Sequence, residues 1–412
     1  MSRRAPVVPW RGEALYALSF LGAQLGFMPL FMLLLPRRVL AVAPGHALAT
    51  LSWLLLLGGA VASVAHIAAG AIGDRWMARH GSRRAVIAAG LVGLIGAYGL
   101  LARASSPMAL AVAVAVFQLA FNLMFAPLGA LMTDYVADAR KGRVAGWLNA
   151  GLPLSALMVT VLANWFPADS SASFLCVAAL VVCLVAPLLV VWPFVPSTPR
   201  PPTSAAADPA VPPPGLDRRD LLKAWGARLL MQLGASLLIN YIFLYVAGLR
   251  QASRLPGMPE ATWAVGLLSL VASGIALVSA VAAGHGSDAQ RRRRLPMVLA
   301  ALTAALALTL LARPSSWVLL VLAYGLFQAS LTAYLAVDSA MVAQLVSGHP
   351  RRGAWLGFMN LTNTLPGVIS ATIALLNVAR SPDALALPHL VLACAVASLG
   401  SAALVGRIRS VR

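Results

Sequence analysis

Charge is scarce along this 412-residue chain, of which only 10% is Asp, Glu, Lys or Arg. A soluble domain carries roughly 25% charged residues, so the composition argues against one. Cysteine is almost absent, and the three cysteines (Cys176, Cys183 and Cys394) lie in apolar segments without the spacing of metal ligands. Packing within those segments is the role that we expect for them.

Motifs of ATP-driven and catalytic proteins are missing as well. The sequence contains no Walker loop, no zinc ligand set and no nucleophile elbow. We therefore expect neither an ATP-driven pump nor an enzyme, and no cofactor or bound metal. The first apolar run, residues 14–35, is too long for a cleavable signal peptide and lacks a small-residue cleavage site.

Long apolar runs are what the chain has in abundance. Hydrophobic residues make up 60% of it, and the mean hydropathy is +0.84. Runs of about 20 residues, the length that crosses a bilayer as a helix, recur from end to end. The sequence predicts an all-α polytopic membrane protein with twelve transmembrane helices, the first over residues 13–35.

The basic residues, which outnumber the acidic ones by 31 to 12, are concentrated in alternate connections between the predicted spans. This is the positive-inside pattern of membrane proteins. It explains the net charge of +19 without a nucleic acid partner and predicts that both termini are cytoplasmic. Arginine outnumbers lysine by 29 to 2, which is typical of GC-rich bacterial genomes and indicates a bacterial inner (plasma) membrane.

The chain divides into two similar halves. Residues 196–220 are rich in Pro, Ala and Ser, which cannot build a core, so we interpret them as a cytoplasmic linker. Residues 100–122 resemble residues 310–332. The sequence thus predicts two pseudo-symmetric six-helix bundles over residues 1–195 and 221–412, an architecture common among secondary transporters.

The loop after the second span carries the most specific motif, Gly70-x-x-x-Asp74-Arg75 followed by Gly81 and Arg84. Its first part recurs in the second half as Gly284-x-x-x-Asp288. Together with the six-plus-six arrangement and the Pro-rich linker, this motif resembles the major facilitator superfamily.

The seven-residue separation of Asp74 and Gly81 and the stretches VDSAMVAQLV and GAWLGFMNLTNTLPGVIS resemble one branch of that superfamily, the glycoside–pentoside–hexuronide and sucrose-transporter-like branch.

The resemblance implies a conformational gate at the cytoplasmic surface. Asp74 would face the start of span 11 (residues 353–378) near Gly353, and Asp288 would face the start of span 5 (residues 143–166) near Gly142, only while that side is closed. We expect Asp134 to pair with Arg75, Arg140 or Arg143. In the alternative interpretation the arginines only set the topology. The predicted gate comprises Gly70, Asp74, Arg75, Gly81, Arg84, Asp134, Gly284 and Asp288.

Polar side chains inside the spans are candidates for the solute pathway, because buried polar groups in a membrane are costly unless they pair or line a cavity. The alternative is that they join helices, at about 1 kcal/mol each. The pathway candidates are Gln24, Gln118, Asn122, Arg228, Gln232, Asn240, Gln328, Asn360 and Asn363. Arg228 either meets an anionic group of the solute or extends to the lipid headgroups.

Two titratable residues inside spans are candidates for coupling transport to a cation. His66 is the one histidine deep in a predicted span, and histidine titrates near neutral pH. Asp338 is an acid inside the tenth span. Either could carry a coupling proton, and a sodium ion is the alternative.

These observations predict a monomeric secondary active transporter in the lipid bilayer. By the resemblance, it moves a small solute, a sugar or glycoside, by cation-coupled alternating access. One alternative is an exporter of a hydrophobic metabolite or drug, but span 5 lacks the Gly-Pro-x-x-Gly-Gly pattern of the superfamily's drug antiporters. Another is a non-transporting assembly factor for a membrane complex, which would need no polar path.

Overall fold

The computed structural model describes residues 10–136, 138–166, 171–193, 218–252, 255, 257–290, 293–345, 352–380 and 387–408. All long elements in these ranges are helices. They are α1 Trp10–Pro29, α2 Leu35–Val42, α3 Ala47–His80, α4 Arg84–Arg103, α5 Pro107–Tyr135, α6 Asp138–Trp165, α7 Ser171–Val191, α8 Arg218–Gln251, α9 Ala261–Gln290, α10 Arg294–Ala312, α11 Trp317–Leu345, α12 Arg352–Arg380 and α13 Leu387–Gly406.

Nine helical segments of the described residues have the length and apolar composition of a membrane span. Three further helices, α6, α9 and α12, have 28, 30 and 29 residues. A helix of that length extends for about 42–45 Å, enough to cross a bilayer. The predicted all-α, twelve-span fold is confirmed.

The first span is longer than predicted and contains an irregular turn. A π-helical turn, Leu30–Leu34, joins α1 to α2, so the helical path continues from Trp10 to Val42. Pro36 lies just after the π-helical turn, and because proline has no N–H it cannot donate to the hydrogen-bond ladder of this continuous helical segment. Arg38, which we expected in a loop, lies in α2 and donates from Nε to the carbonyl of Ala104 at 2.9 Å.

The chain forms two compact units, Met1–Ala205 and Ala206–Arg412. In the first unit α5 packs against α3 and α4, while α7 packs against α1 and α4. In the second unit α11 packs in the same way against α9 and α10, and α13 against α8 and α10. The packing therefore repeats in the order that the repeated sequence segments suggest. Most of the predicted linker lies outside the described residues.

Helices α4 and α5 cross in direct backbone contact at Gly90. A Cβ atom placed on Gly90 would lie 2.7 Å from Met124 Cα and 2.8 Å from the Leu123 carbonyl carbon, closer than real side chains come. Since both neighbours are backbone atoms, they cannot move aside as a flexible side chain would. Only glycine permits this crossing.

We expect Gly90→Ala to lower the thermal stability of the purified protein. Overpacking of this kind costs about 1–3 kcal/mol. Gly96→Ala is the matched control, because a Cβ atom there meets no heavy atom within 4 Å and alanine favours helix. Thermal unfolding in detergent measures both variants, and equal melting temperatures for the two would contradict the expectation.

Candidate functional site

In the first unit a histidine and two amides form a hydrogen-bonded chain between α3 and α5. Asn122 donates from Nδ2 to the carbonyl of Gln118 at 2.8 Å, so its Oδ1 faces His66 and accepts from His66 Nδ1 at 3.0 Å. This arrangement leaves Nε2 of a neutral His66 as a hydrogen-bond acceptor. Gln118 and Asn122 are buried, whereas His66 lies on the surface of the unit.

In the second unit three helices bring one acid, one guanidinium and two amides together. Arg228 Nη1 of α8 lies 3.2 Å from Asp338 Oδ2 of α11. Asn363 Oδ1 of α12 accepts from Arg228 Nη2 and from Gln232 Nε2, each at 3.0 Å. Asp338 is fully buried, the Arg228 side chain is 16% exposed, and Asn363 lies on the surface. We call these four residues the polar cluster.

The polar cluster changes the interpretation of Arg228. Its guanidinium contacts Asp338 and Asn363 within the unit, two partners that neither alternative had included. Removing one partner of a buried ion pair leaves a buried charge uncompensated, which is strongly unfavourable. Arg228 and Asp338 are therefore mutually dependent.

The remaining pathway candidates are distributed along the same helices. Asn240 donates to Ser236 Oγ at 3.3 Å, and Ser236 shares a hydrogen bond of 3.2 Å with Ser370 of α12, so this face of α8 packs on α12. Gln328 donates to Tyr324 of its own helix at 3.4 Å. Gln24 is half-buried in α1. The side chain of Asn360 lies outside the described residues.

The predicted gate contains an arginine that the sequence analysis left out. Arg83 Nη2 lies 2.7 Å from Asp74 Oδ1, and Arg83 Nε lies 2.7 Å from Asp134 Oδ2. Asp134 thus has Arg83 as a partner, rather than Arg75 as expected. The side chains of the other two expected partners, Arg140 and Arg143, lie outside the described residues. We call Arg83, Asp74 and Asp134 the charge triad.

The turn between α3 and α4 explains how Arg83 reaches both acids. Gly81 ends α3 with a φ of 68°, a left-handed conformation that favours glycine, and the chain reverses at once into α4. A Cβ atom on Gly73 would lie only 2.9 Å from Arg83 Nη1, so the guanidinium fits closely over that glycine. Desolvation lowers the pKa of Arg83, but the hydrogen bonds to Asp134 and Asp74 outweigh it and raise the pKa overall.

The other residues of the predicted gate lie outside the charge triad. Arg75 and Arg84 are exposed, and Gly70 is half-buried in α3. Gly284 and Asp288 belong to α9, but Asp288's side chain is outside the described residues. The contacts of Asp74 with Gly353 and of Asp288 with Gly142 stay predictions.

Two buried acids in the first turns of α1 and α8 are not among the predicted site residues. Glu13 and Asp220 are each 1% exposed, and Asp220 Oδ1 accepts from Lys223 Nζ at 2.6 Å. Lys223 also donates to the carbonyl of Arg407 at 2.9 Å, near the end of α13. Their position in a first turn is the signal that could have found them, because acids are favoured there. In the described residues no three His, Cys, Asp or Glu side chains form a metal-binding group.

Comparison with known proteins places this architecture in a family. A family model described as the Major Facilitator Superfamily matches residues 14–371. The chain belongs to the major facilitator superfamily. Membership supports a secondary transporter of small solutes in a membrane.

Solved structures of the superfamily share the fold at low sequence identity. The nucleoside transporter NupG is 16% identical, with a TM-score of 0.69, and the match covers 97% of this chain and 100% of that one. The peptide transporter POT in complex with sulfate is 14% identical, with a TM-score of 0.68, and covers 97% and 94%. The same transporter in complex with alafosfalin is 14% identical, with a TM-score of 0.69, and the match covers 97% of this chain and 96% of that one. None of the curated proteins matches this chain.

Proposed function

We propose that this superfamily member is a secondary active transporter that couples a cation gradient to the movement of a small polar solute by alternating access. The observation that carries the proposal is the polar cluster of Arg228, Asp338, Asn363 and Gln232 inside the second unit. Ionisable side chains inside a membrane are costly, and they mark ion or substrate pathways.

The arrangement of the polar cluster supports coupling at Asp338. While Asp338 is ionised, Arg228 neutralises it at 3.2 Å. A proton or a sodium ion that binds Asp338 competes with Arg228 for the carboxylate, so the Nη1 group of Arg228 that faces Asp338 becomes available to the solute. Cation and solute would then favour each other's binding, as reciprocal coupling between two sites requires.

The solute that suits this chemistry is rich in hydroxyl groups. Asn363 and His66 lie at the surfaces of their units within membrane-spanning helices, and amide and imidazole groups can donate to and accept from hydroxyls. In a lipid-facing position these groups would be costly, which favours a hydrated path. A sugar or glycoside fits this pattern and the motif of the sucrose-transporter-like branch.

The proposal places the protein as a monomer in a bacterial inner membrane with both termini in the cytoplasm. The clustering of arginine in alternate connections supports this topology. The polar cluster speaks against an exporter of hydrophobic compounds, because such a cargo would not compensate the desolvation of an arginine and an acid.

A thermal-shift screen tests the solute class directly. Purified protein is heated with sugars, glycosides, nucleosides and dipeptides, the last two because nucleoside and peptide transporters share the fold. A ligand at 100 times its Kd stabilises by about 2.7 kcal/mol, so a true solute raises the melting temperature measurably. We expect a sugar or glycoside to do so and to show counterflow in liposomes. Stabilisation only by nucleosides or peptides would contradict the assignment to sugars, and no counterflow with any solute would contradict transport.

For the solute that the screen finds, Asn363→Ala should weaken binding about tenfold, or 1.4 kcal/mol, since two donors lose their shared acceptor. Thr372→Ala is the matched control, because Thr372 is exposed on the same helix and donates to the carbonyl of Val368, one turn earlier. Isothermal titration measures both variants. Equal affinities of the two variants for the solute would exclude Asn363 from the binding site.

A further inference from the structure

A groove beside the charge triad has the features of a lipid site. It measures about 520 Å³ and lies where α3 ends, α4 begins and α7 ends. This volume is within the roughly 300–1,000 Å³ of small-molecule sites. Its polar lining comes from Arg84, His80 and Ser82, and its aromatic walls come from Trp76 and Trp192.

Both tryptophan side chains that wall the groove are fixed, Trp192 by a strained backbone and Trp76 by stacking. Trp192 has a φ of 39°, a left-handed conformation that is a genuine outlier for a bulky side chain. Strain of this kind persists where the surroundings enforce it, often at binding sites. Trp76 is fixed by stacking on His80 with 4.1 Å between ring centroids, and His80 Nδ1 donates to the Trp76 carbonyl at 3.2 Å.

The floor of the groove continues as an apolar strip along the membrane span of α4. Ala85 and Ala88 line the groove, and Val92 and Ile95 follow on the same helical face with 68% and 43% of their surface exposed. Helix α4 is a membrane span from Arg84 onward. A ligand with a polar head in the groove and hydrocarbon chains along this strip would match both surfaces.

The charges around the groove select an anionic head. Arg84 lines it, and Arg75 and Arg79 are exposed on the last turns of α3. The acids at this end, Asp74 and Asp134, are engaged by Arg83. Tryptophans are favoured at the membrane interface, and a basic patch there attracts anionic lipid. This is the arginine-rich face that the proposed topology assigns to the cytoplasm.

We propose that this groove binds an anionic phospholipid of the cytoplasmic leaflet, with its phosphate at Arg84 and Ser82 and its acyl chains along α4. Arg84 thereby has a role apart from the predicted gate. The lipid would also brace the turn of residues 81–84 that carries Arg83, so the composition of the membrane would influence the charge triad. The proposal concerns lipid binding and does not depend on which solute is transported.

Native mass spectrometry of the delipidated full chain tests the site, with phosphatidylglycerol titrated in and phosphatidylcholine as the uncharged comparison. We expect one tightly bound phosphatidylglycerol, about tenfold weaker binding in Arg84→Ala, as suits the loss of a charge-assisted contact, and partial rescue in Arg84→Lys. Arg79→Ala is the control, because it removes an exposed charge of the same basic surface outside the groove, and it should weaken binding far less than Arg84→Ala does.

Three results would overturn the proposal. Equal binding of phosphatidylcholine would show that the groove does not select an anionic head group. Equal losses of affinity in Arg79→Ala and Arg84→Ala would show only a general attraction between charges. Displacement of the lipid by inorganic phosphate alone would indicate a phosphate site without a lipid role. Trp192→Phe, which keeps an aromatic wall, should bind more tightly than Trp192→Ala while both keep the melting temperature of the parent.

Discussion

Asp338→Asn is expected to abolish cation-driven accumulation of the solute while solute exchange continues. Asparagine has the shape of aspartate but cannot take up a proton or neutralise Arg228, so the step that links the cation to the solute disappears. Reconstituted liposomes measure the effect: with an imposed gradient the variant should reach only equal concentrations on both sides, and its counterflow should persist. Driven accumulation at the level of the parent protein would exclude Asp338 as the coupling residue.

Three variants separate coupling from simple damage to the fold. Arg228→Met alone leaves Asp338 buried without its partner and should destabilise the second unit by about 3–5 kcal/mol, whereas Arg228→Met combined with Asp338→Asn should regain most of that loss. Asp220→Asn is the matched control, because Asp220 is an equally buried acid with a lysine partner outside the polar cluster. It should keep driven accumulation.

The second large effect is expected at the charge triad. Arg83→Ala should destabilise the first unit by about 2–3 kcal/mol, less than a fully buried pair would give, because Asp74 is 72% exposed and Asp134 is 21% exposed. Asp134→Asn should cost less, and Asp74→Asn less than about 1 kcal/mol. Thermal unfolding of the three variants should reproduce this order, and a larger effect of Asp74→Asn than of Arg83→Ala would contradict it.

Arg83→Lys and a labelling experiment sharpen the interpretation of the charge triad. Lysine keeps the charge but lacks the planar fork that reaches two acids at once, so it should recover only part of the stability. If Asp74 also acts as the gate that the resemblance implies, Asp74→Asn should change the accessibility of introduced cysteines on the cytoplasmic side despite its small effect on stability. Unchanged accessibility would leave Asp74 a purely structural role.

The membrane fold could be predicted from sequence because its main determinants are local. Whether a stretch of about 20 residues partitions into lipid depends on its own composition. The side on which a loop remains depends on its own arginines, and a duplication is visible as repeated letters. The first span was underestimated because the turn at Leu30–Leu34 and the continuation past Pro36 depend on contacts such as that of Arg38 with Ala104.

The candidate site was only half predictable. The four-residue spacing of Arg228, Gln232, Ser236 and Asn240 puts them on one face of α8, and the structure packs that face against α12. It did not indicate that Asp338 is the partner of Arg228, since a period of 3.6 residues fixes which residues share a face and not what that face meets. For the same reason Asp134 was expected to pair with Arg75, Arg140 or Arg143, and its partner Arg83 was overlooked.

The sequence by itself determined that this protein is a twelve-span membrane protein, and it predicted two related halves and an arginine-rich side, because hydropathy and loop charge act segment by segment. Only the tertiary structure decided that Arg228 meets Asp338, that Arg83 holds Asp74 and Asp134, and that His66 bonds Asn122. Each of these pairs joins different helices or a helix and a loop. In lipid, which helices pack together is decided by close contacts such as Gly90 on the backbone of α5, and those contacts leave no periodic trace in the sequence.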